Sequence, residues 1–337
     1  MNYIGSKHRL SAFLKDEISA VVNSDLSDKV FCDMFAGTTV VGRTFKSHVK
    51  KVISNDIEDY SYVLSKNYIQ NSADIQKNSS SYIERLNALP LLEDGFIYKH
   101  YCLGSGSKRQ YFSDENGKRI DTVRTKIKEW YESKEIDDDM YYFLLASLIE
   151  SADNVANTAS MYAAFLKYLK RPAQRELVLR PAHFEISGDR HEVYQEDGND
   201  LIKKIEGDIL YLDPPYNQRQ YGANYHILNT IALYDEFTPQ GKTGLRKYAR
   251  SSYCKAKKVH NSFEDIIKNA KFKYIFLSYN NEGLMSESEV RDIMSKYGRY
   301  DLKIKAYKKL KVDKKKSINK KSDLTYEHLH ILQKDQD

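Results

Sequence analysis

The chain has 337 residues, 41% of them hydrophobic, enough to bury the core of one large domain or two smaller ones. Lysine and arginine exceed aspartate and glutamate by 53 to 47, a formal charge of +6, which suits a polyanionic partner without requiring one. Three widely spaced cysteines without a Cys-x-x-Cys pair, Cys32, Cys102 and Cys254, argue against a disulfide framework or a zinc site and fit a reducing cytoplasm, and with no apolar run of about eighteen residues and no signal-type stretch, neither membrane nor secretion is expected.

Along the chain, Asn2-Tyr3-Ile4-Gly5-Ser6-Lys7 comes first. The short apolar runs Val30-Phe31-Cys32, Val52-Ile53, Ile209-Leu210-Tyr211-Leu212 and Tyr274-Ile275-Phe276-Leu277 read as buried strands. They alternate with helical stretches, which predicts a parallel α/β sheet. Each strand ends in a polar residue: Asp33, Asn55-Asp56, Asp213, and Ser278 with Asn280. In open parallel sheets the ligand crevice lies at the carboxyl ends of the strands, so Asp33, Asp56 and Asp213 are expected around one site. Any one of them alone could be a helix N-cap.

The stretch between Asp56 and Asp213 is too long for a single crossover, so a largely helical insertion is expected at 66–190. Within it, Asn116-Gly117 signals a tight turn after Tyr111-Phe112. One helix is expected through Val123, Ile127 and Trp130, another through Met140, Phe143, Leu144, Leu148 and Ile149. From 302 to 321 lysines crowd the sequence, the composition of a solvated loop that could also contact phosphates. Residues 326–332 alternate as a last strand, with His328 and His330 read as strand surface and not as metal ligands.

The most informative stretch is Asp213-Pro214-Pro215-Tyr216, followed by Asn217. The prolines fix the backbone and stop the strand, so that the Pro214 carbonyl can point outward beside a carboxylate and an aromatic ring. Such a pocket suits a flat base carrying an exocyclic amine. Three segments occur in fixed order: the N-terminal one, then Asp33-Met34-Phe35-Ala36-Gly37-Thr38-Thr39, then the tetrad. With Tyr225-His226 and Leu277-Ser278-Tyr279-Asn280-Asn281-Glu282-Gly283 following, this resembles the Dam-like, alpha-group DNA adenine methyltransferases over most of the chain.

The resemblance implies a Rossmann-like S-adenosylmethionine-dependent methyltransferase fold: a cofactor-binding part at 1–65, an inserted target-recognition region at 66–190 and a catalytic part at 191–337. It implies S-adenosylmethionine as cofactor. Asp33 would face the methionine amino group and Asp56 the ribose hydroxyls, while Asp200 would lie near the adenine amine. The Phe35-Ala36-Gly37 turn would bring backbone close to an anionic group at a helix N-terminus, with Tyr3 and Lys7 closing over the methionine end. The family pattern usually has a second glycine where this chain has Thr39, which would narrow the turn. Asp213 and the Pro214 carbonyl would accept the two hydrogens of adenine N6, and Tyr216 would stack on the flipped base; no metal is needed.

Duplex DNA is then the partner, as a monomer or weak dimer, and a restriction endonuclease acting on the same site is implied by the resemblance alone. For DNA contact, 241–253, Arg109, Arg124, Lys167 and Lys170 are the candidates. Methylation of another planar amine, an RNA base or a protein glutamine, is the alternative, and an inactive nucleic-acid-binding relative is a third reading. Asp213 in the first tetrad position, the long insertion and the N-terminal segment favour adenine in DNA.

Overall fold

This computed structural model describes residues 7–23, 25–71, 75–185, 191–281, 283–308 and 324–335. Seven strands form one sheet: β1 (Val30–Asp33), β2 (Lys51–Asn55), β3 (Glu192–Tyr194), β4 (Glu206–Leu212), β5 (Lys271–Asn280), β6 (Gly298–Lys308) and β7 (Leu324–Lys334). Their spatial order is β3-β2-β1-β4-β5-β7-β6. The first five pair in parallel, whereas β7 runs antiparallel to both β5 and β6. The four strands read from the sequence are β1, β2, β4 and β5, and β7 is the alternating strand expected at the end.

Register decides where the polar strand ends fall. Asp33 lies opposite Ser54 on β2 and Tyr211 on β4, and Leu212 lies opposite Leu277 on β5. Asp33, Asp56, Asp213 and Ser278 therefore share one edge of the sheet, on either side of the point between β1 and β4 where the strand order reverses. Because β7 runs the other way, its early residues reach that edge, with Glu327 opposite Asn280.

Helices cover the sheet with apolar residues spaced three or four apart. Leu14, Ile18 and Val22 are buried from Ser11–Val22, and Val259, Phe263, Ile266 and Ile267 from Val259–Asn269. Glu287–Met294 starts with a reciprocal Ser286 and Glu289 capping box and buries Val290, Ile293 and Met294. Among the described residues, no helix is long and apolar enough to cross a membrane.

The chain divides into two units. One, containing the sheet, comprises Lys7–Ile57, Arg190–Gln220 and Arg250–Asp337; the other comprises Glu58–Asp189 and Tyr221–Ala249. The second unit is helical. Its long helices, Asp114–Glu132 and Asp138–Val155, are capped by Ser113 and Asp137. Its core is rich in tyrosine, with Tyr60, Tyr101, Tyr111, Tyr162 and Tyr225 fully buried. Buried Asp121 accepts the Ile97 and Tyr98 backbone N–H groups at 2.8 Å each and the Tyr234 hydroxyl at 2.7 Å, so its carboxylate caps the helix Phe96–Tyr101 from outside.

Four expectations need correction here. Asn116-Gly117 is not a turn but lies in the first turns of the helix Asp114–Glu132. The Asn116 amide donates to the Arg175 carbonyl and accepts from Leu177 N–H, both at 2.8 Å, and a Cβ at Gly117 would meet Cys102 Sγ at 2.2 Å. Tertiary contacts have thus overridden a local turn preference. Arg124 is no surface charge: it is buried and donates to the Ile231 and Ala232 carbonyls at 2.9 Å each. His330 is buried, not on the strand surface, and bonds the Tyr300 hydroxyl at 2.9 Å. The lysine-rich stretch continues as strand through Lys303, Lys305 and Lys308 in β6, and the lysines from Lys309 to Lys321 lie outside the described residues.

If Arg124 is structural, Arg124→Met leaves buried carbonyls without a donor and lowers the unfolding free energy by about 2–3 kcal/mol. Thermal and urea melts measure this. An unchanged melt with lost DNA affinity would return Arg124 to the DNA contacts.

Candidate active site at the carboxyl edge of the sheet

At the end of β1, Asp33 is buried; its Oδ2 accepts Gly42 N–H at 2.9 Å, and its Oδ1 has no hydrogen-bond partner. Burial raises its pKa, the Gly42 bond opposes this, and Asp213 and Asp56 add to it, leaving a value of about 7. Such a half-satisfied carboxylate is poised for a cationic or donor group.

The following turn is built by its neighbours. Ala36 N–H reaches the Asn55 carbonyl at 2.9 Å and Gly37 N–H reaches Asp56 Oδ2 at 2.8 Å. The Asn55 amide donates to the Met34 and Glu196 carbonyls at 3.1 Å each and accepts from Glu196 N–H at 3.0 Å, tying three segments together. Phe35 is half-buried, edge-on to Tyr253 at 5.2 Å.

Gly37 has φ 53° and Thr39 φ 62°. Thr39 is fully buried with its hydroxyl on the Thr38 carbonyl at 2.6 Å. A β-branched residue in the left-handed region is strained, which gives a physical reason for the glycine that the sequence pattern leads one to expect there. Asp200 is exposed on the short helix Gly198–Leu201, whose first residue packs on Met34 and Phe35: a Cβ at Gly198 would approach both within 3.3 Å.

Past β4 stands the tetrad. Lys7 Nζ sits 3.1 Å from Asp213 Oδ1 and 2.8 Å from Glu327 Oε1, and the Ser278 hydroxyl donates to the same Glu327 oxygen. The exposures are graded: the side chains of Glu327, Lys7 and Asp213 are 2%, 8% and 19% accessible. Only Asp213 therefore presents appreciable surface. Burial alone would lower the Lys7 pKa, but Asp213 and Glu327 outweigh it and hold the ammonium charged. For Asp213, burial raises the pKa, Lys7 lowers it and Glu327 raises it again, to about 6. The carboxylate is thus ionised at neutral pH and more basic than a free aspartate.

Tyr216 is half-buried, edge-on to Tyr279 at 6.3 Å, with its carbonyl accepting Leu284 N–H at 2.9 Å. Gly283 lies so close under the Tyr279 ring that a Cβ would meet it at 2.1 Å. The later motif therefore supports the tetrad's aromatic ring. Pro214 is buried and Pro215 partly so.

Other sequence candidates belong to the helical unit or fall outside the described residues. Tyr3 is outside the described residues. Tyr225 and His226 are core residues of the helical unit, where His226 Nε2 contacts the Tyr162 carbonyl at 3.1 Å and burial pushes its pKa down to about 4. Arg109 braces the turn after Gln240, donating to the Gly241 carbonyl at 3.0 Å. Arg246 forms a two-pronged pair with Asp235 at 3.0 Å, and Lys170 bonds the Thr158 carbonyl at 2.7 Å. Lys167 stays exposed beside Tyr168, which is 75% accessible. Asn55 was read from sequence only as part of a polar strand end, without a role of its own, and Glu327 was missed, since nothing local marked it. Among the described residues no cluster of His, Cys, Asp or Glu is placed to hold a metal ion.

The raised Asp33 pKa carries a sign. In the folded chain the carboxyl keeps its proton to about pH 7, against 3.8 for an ordinary aspartate, so this group's contribution to stability is fully present below about pH 3.8 and is lost progressively as pH rises to about 7. Asp33→Asn removes that penalty. The variant's melting temperature, relative to the parent chain, should rise from pH 5 to about pH 7 and level off above it; a difference that does not change with pH would contradict the assignment.

Comparison with known proteins fits this geometry. The family model described as D12 class N6 adenine-specific DNA methyltransferase matches residues 3–293. The chain is 62% identical to the type II methyltransferase M.NlaIII of Neisseria lactamica over 334 residues, covering 99% of both chains. It is 35% identical to the type II methyltransferase M.CviAII of Paramecium bursaria Chlorella virus 1, covering 92% of this chain and 93% of that one. It is also 37% identical to the type II methyltransferase M.FokI of Planomicrobium okeanokoites, covering 99% of this chain but 53% of that longer one. With a seven-stranded sheet of the expected α/β type and an aspartate-led tetrad at its switch-point edge, the chain belongs to the D12 class of N6 adenine-specific DNA methyltransferases.

Proposed function

We propose that this chain transfers a methyl group from S-adenosylmethionine to N6 of adenine within a short specific sequence of duplex DNA, as the cytoplasmic modification enzyme of a restriction system. The type II and modification-methylase names of its relatives support the restriction setting. The observation that carries the chemistry is Asp213: an ionised carboxylate at the end of β4, held by a buried lysine and one-fifth exposed.

The residues at the edge suit the cofactor. Asp33 Oδ1, buried and without a partner, is an acceptor that an ammonium would satisfy. The Phe35-Ala36-Gly37 turn gives close backbone approach to the methionine end, with Tyr3 and Lys7 assigned to the same end. Asp56 suits ribose hydroxyls, the neighbouring Ile57, 41% accessible, offers an apolar wall for the adenine, and Asp200 suits its amine. When bound, the cofactor supplies an electrophilic methyl carbon.

The protein's part is to make a poor nucleophile competent. The lone pair of adenine N6 is delocalised into the ring. Asp213 and the Pro214 carbonyl, both acceptors, take the two amine hydrogens and favour a tetrahedral nitrogen. As that nitrogen gains a carbon it must lose a proton, and the Asp213 carboxylate is the base that receives it. Alignment of nitrogen, carbon and sulfur contributes much of the remaining rate. Extruding the base from the duplex costs roughly a few kcal/mol; stacking on Tyr216, braced by Tyr279, returns about 1–3 kcal/mol.

Methyladenine is mapped in the DNA of a host expressing the chain, beside Asp213→Ala. Methylation should fall by about a hundredfold to a thousandfold while S-adenosylmethionine binding, measured by calorimetry, is largely kept. Unchanged methylation in the variant would remove Asp213 from the chemistry. In the parent enzyme the methyl-transfer rate should decline as pH falls through about 6, where Asp213 takes up its proton.

A further inference from the structure

We propose that Glu327 is a positioning residue of this reaction: by sharing the Lys7 ammonium, it holds that ammonium against one oxygen of Asp213 and leaves the outward part of the Asp213 carboxylate charged for the substrate amine. The inference rests on the catalytic reading of Asp213 given above. Glu327 itself lies beyond residue 293, where the family model's match ends.

Three observations converge. First, the ammonium is nearer to Glu327 than to Asp213, 2.8 against 3.1 Å, so Lys7 is not the private counter-ion of Asp213. Second, accessibility falls from Asp213 to Lys7 to Glu327; the two inner groups have little surface to offer a base and bear on it through Asp213. Third, Glu327 is itself fixed, because the Ser278 hydroxyl bonds the oxygen that faces Lys7, and the antiparallel run of β7 delivers the residue to the edge where the parallel strands end.

Charge explains the need for a third group. A one-to-one pair with Lys7 would neutralise Asp213 and draw its electron density away from the amine. Two carboxylates about one ammonium leave a net negative charge, and the outermost oxygen is where substrate can use it. Among the described residues, the ionisable groups around Asp213 are Lys7 from the turn Lys7–Arg9, Tyr211 on β4, Tyr216 in the tetrad, Asp33 at the end of β1 and Glu327 on β7. The tyrosines stay neutral because burial raises their pKa values.

The test uses the full-length enzyme, unmethylated plasmid DNA and tritiated S-adenosylmethionine, with single-turnover methyl-transfer rates from pH 5 to 9. In Glu327→Gln the plateau rate should fall about tenfold and the acid limb should move to lower pH by about one unit, because Lys7 then serves Asp213 alone. Glu327→Asp, which keeps the charge, should leave the limb near its original place. Lys7→Met should move the limb the opposite way, to higher pH. A slower Glu327→Gln with an unmoved limb, or an unchanged rate, overturns the proposal. Should thermal melts show Glu327→Gln unfolded, Lys7→Met decides alone, and a limb that does not rise overturns it equally. Asp213→Ala separates the levels: activity retained there defeats the catalytic reading itself, whereas activity lost there with an unmoved limb in Glu327→Gln defeats only the role of Glu327.

Discussion

One lysine ammonium between two carboxylates sets the terms for the carboxyl edge of the sheet. Lys7, Asp213 and Glu327 come from near the beginning, the middle and the end of the chain, and their charged atoms meet within 3.1 Å. Burying such groups costs several kcal/mol per ion unless geometry and hydrogen bonds compensate. Here the Ser278 hydroxyl and the two short ion contacts supply that compensation. The sheet serves that arrangement, because β7 runs antiparallel beside β5 and so brings its early residue Glu327 to the edge where β4 ends.

Away from that trio the edge is deliberately unfinished. Asp33 is buried with one oxygen unserved, and Thr39 holds a left-handed backbone that its branched side chain disfavours. Both features lower the stability of the empty protein. Binding sites commonly concentrate such costs, because a group left unsatisfied in the free protein is one that a ligand can satisfy. The tetrad's aromatic residue shows the opposite treatment, being packed against Tyr279 and anchored through its backbone. A ring proposed to stack on a base gains from rigidity, whereas a pocket proposed for a cofactor's ammonium gains from an unserved acceptor.

Much of this was legible in the chain itself. Val30-Phe31-Cys32 and Ile209-Leu210-Tyr211-Leu212 read as strands because a strand buried on both faces has no polar alternation to disguise it. Asp33, Asp56 and Asp213 stood out as acids ending such runs, and the paired prolines marked where β4 stops. What stayed hidden depended on tertiary partners. β3 is three residues long with two polar side chains, too short to show a period. Glu327 sits in an alternating strand where nothing local distinguishes an inward glutamate from a solvated one. Residues 221–249 belong with the helical unit because Tyr225, Ile227, Leu228 and Ile231 join its core, and a helical period does not say which core it faces. Asn116-Gly117 and Arg124 were misread for a related reason: a turn-forming pair and a charged side chain were both taken into a buried network whose other members are distant in sequence.

In the proposed arrangement two acceptors, a carboxylate oxygen and a proline carbonyl, hold the amine of an extruded adenine. A crystal structure of the enzyme with its duplex target and a non-reactive cofactor analogue tests this directly. Adenine N6 should lie within hydrogen-bond reach, about 2.7–3.2 Å, of both the Asp213 carboxylate and the Pro214 carbonyl oxygen. An adenine still stacked in the duplex, or one extruded with its N6 bound to other groups, would contradict it.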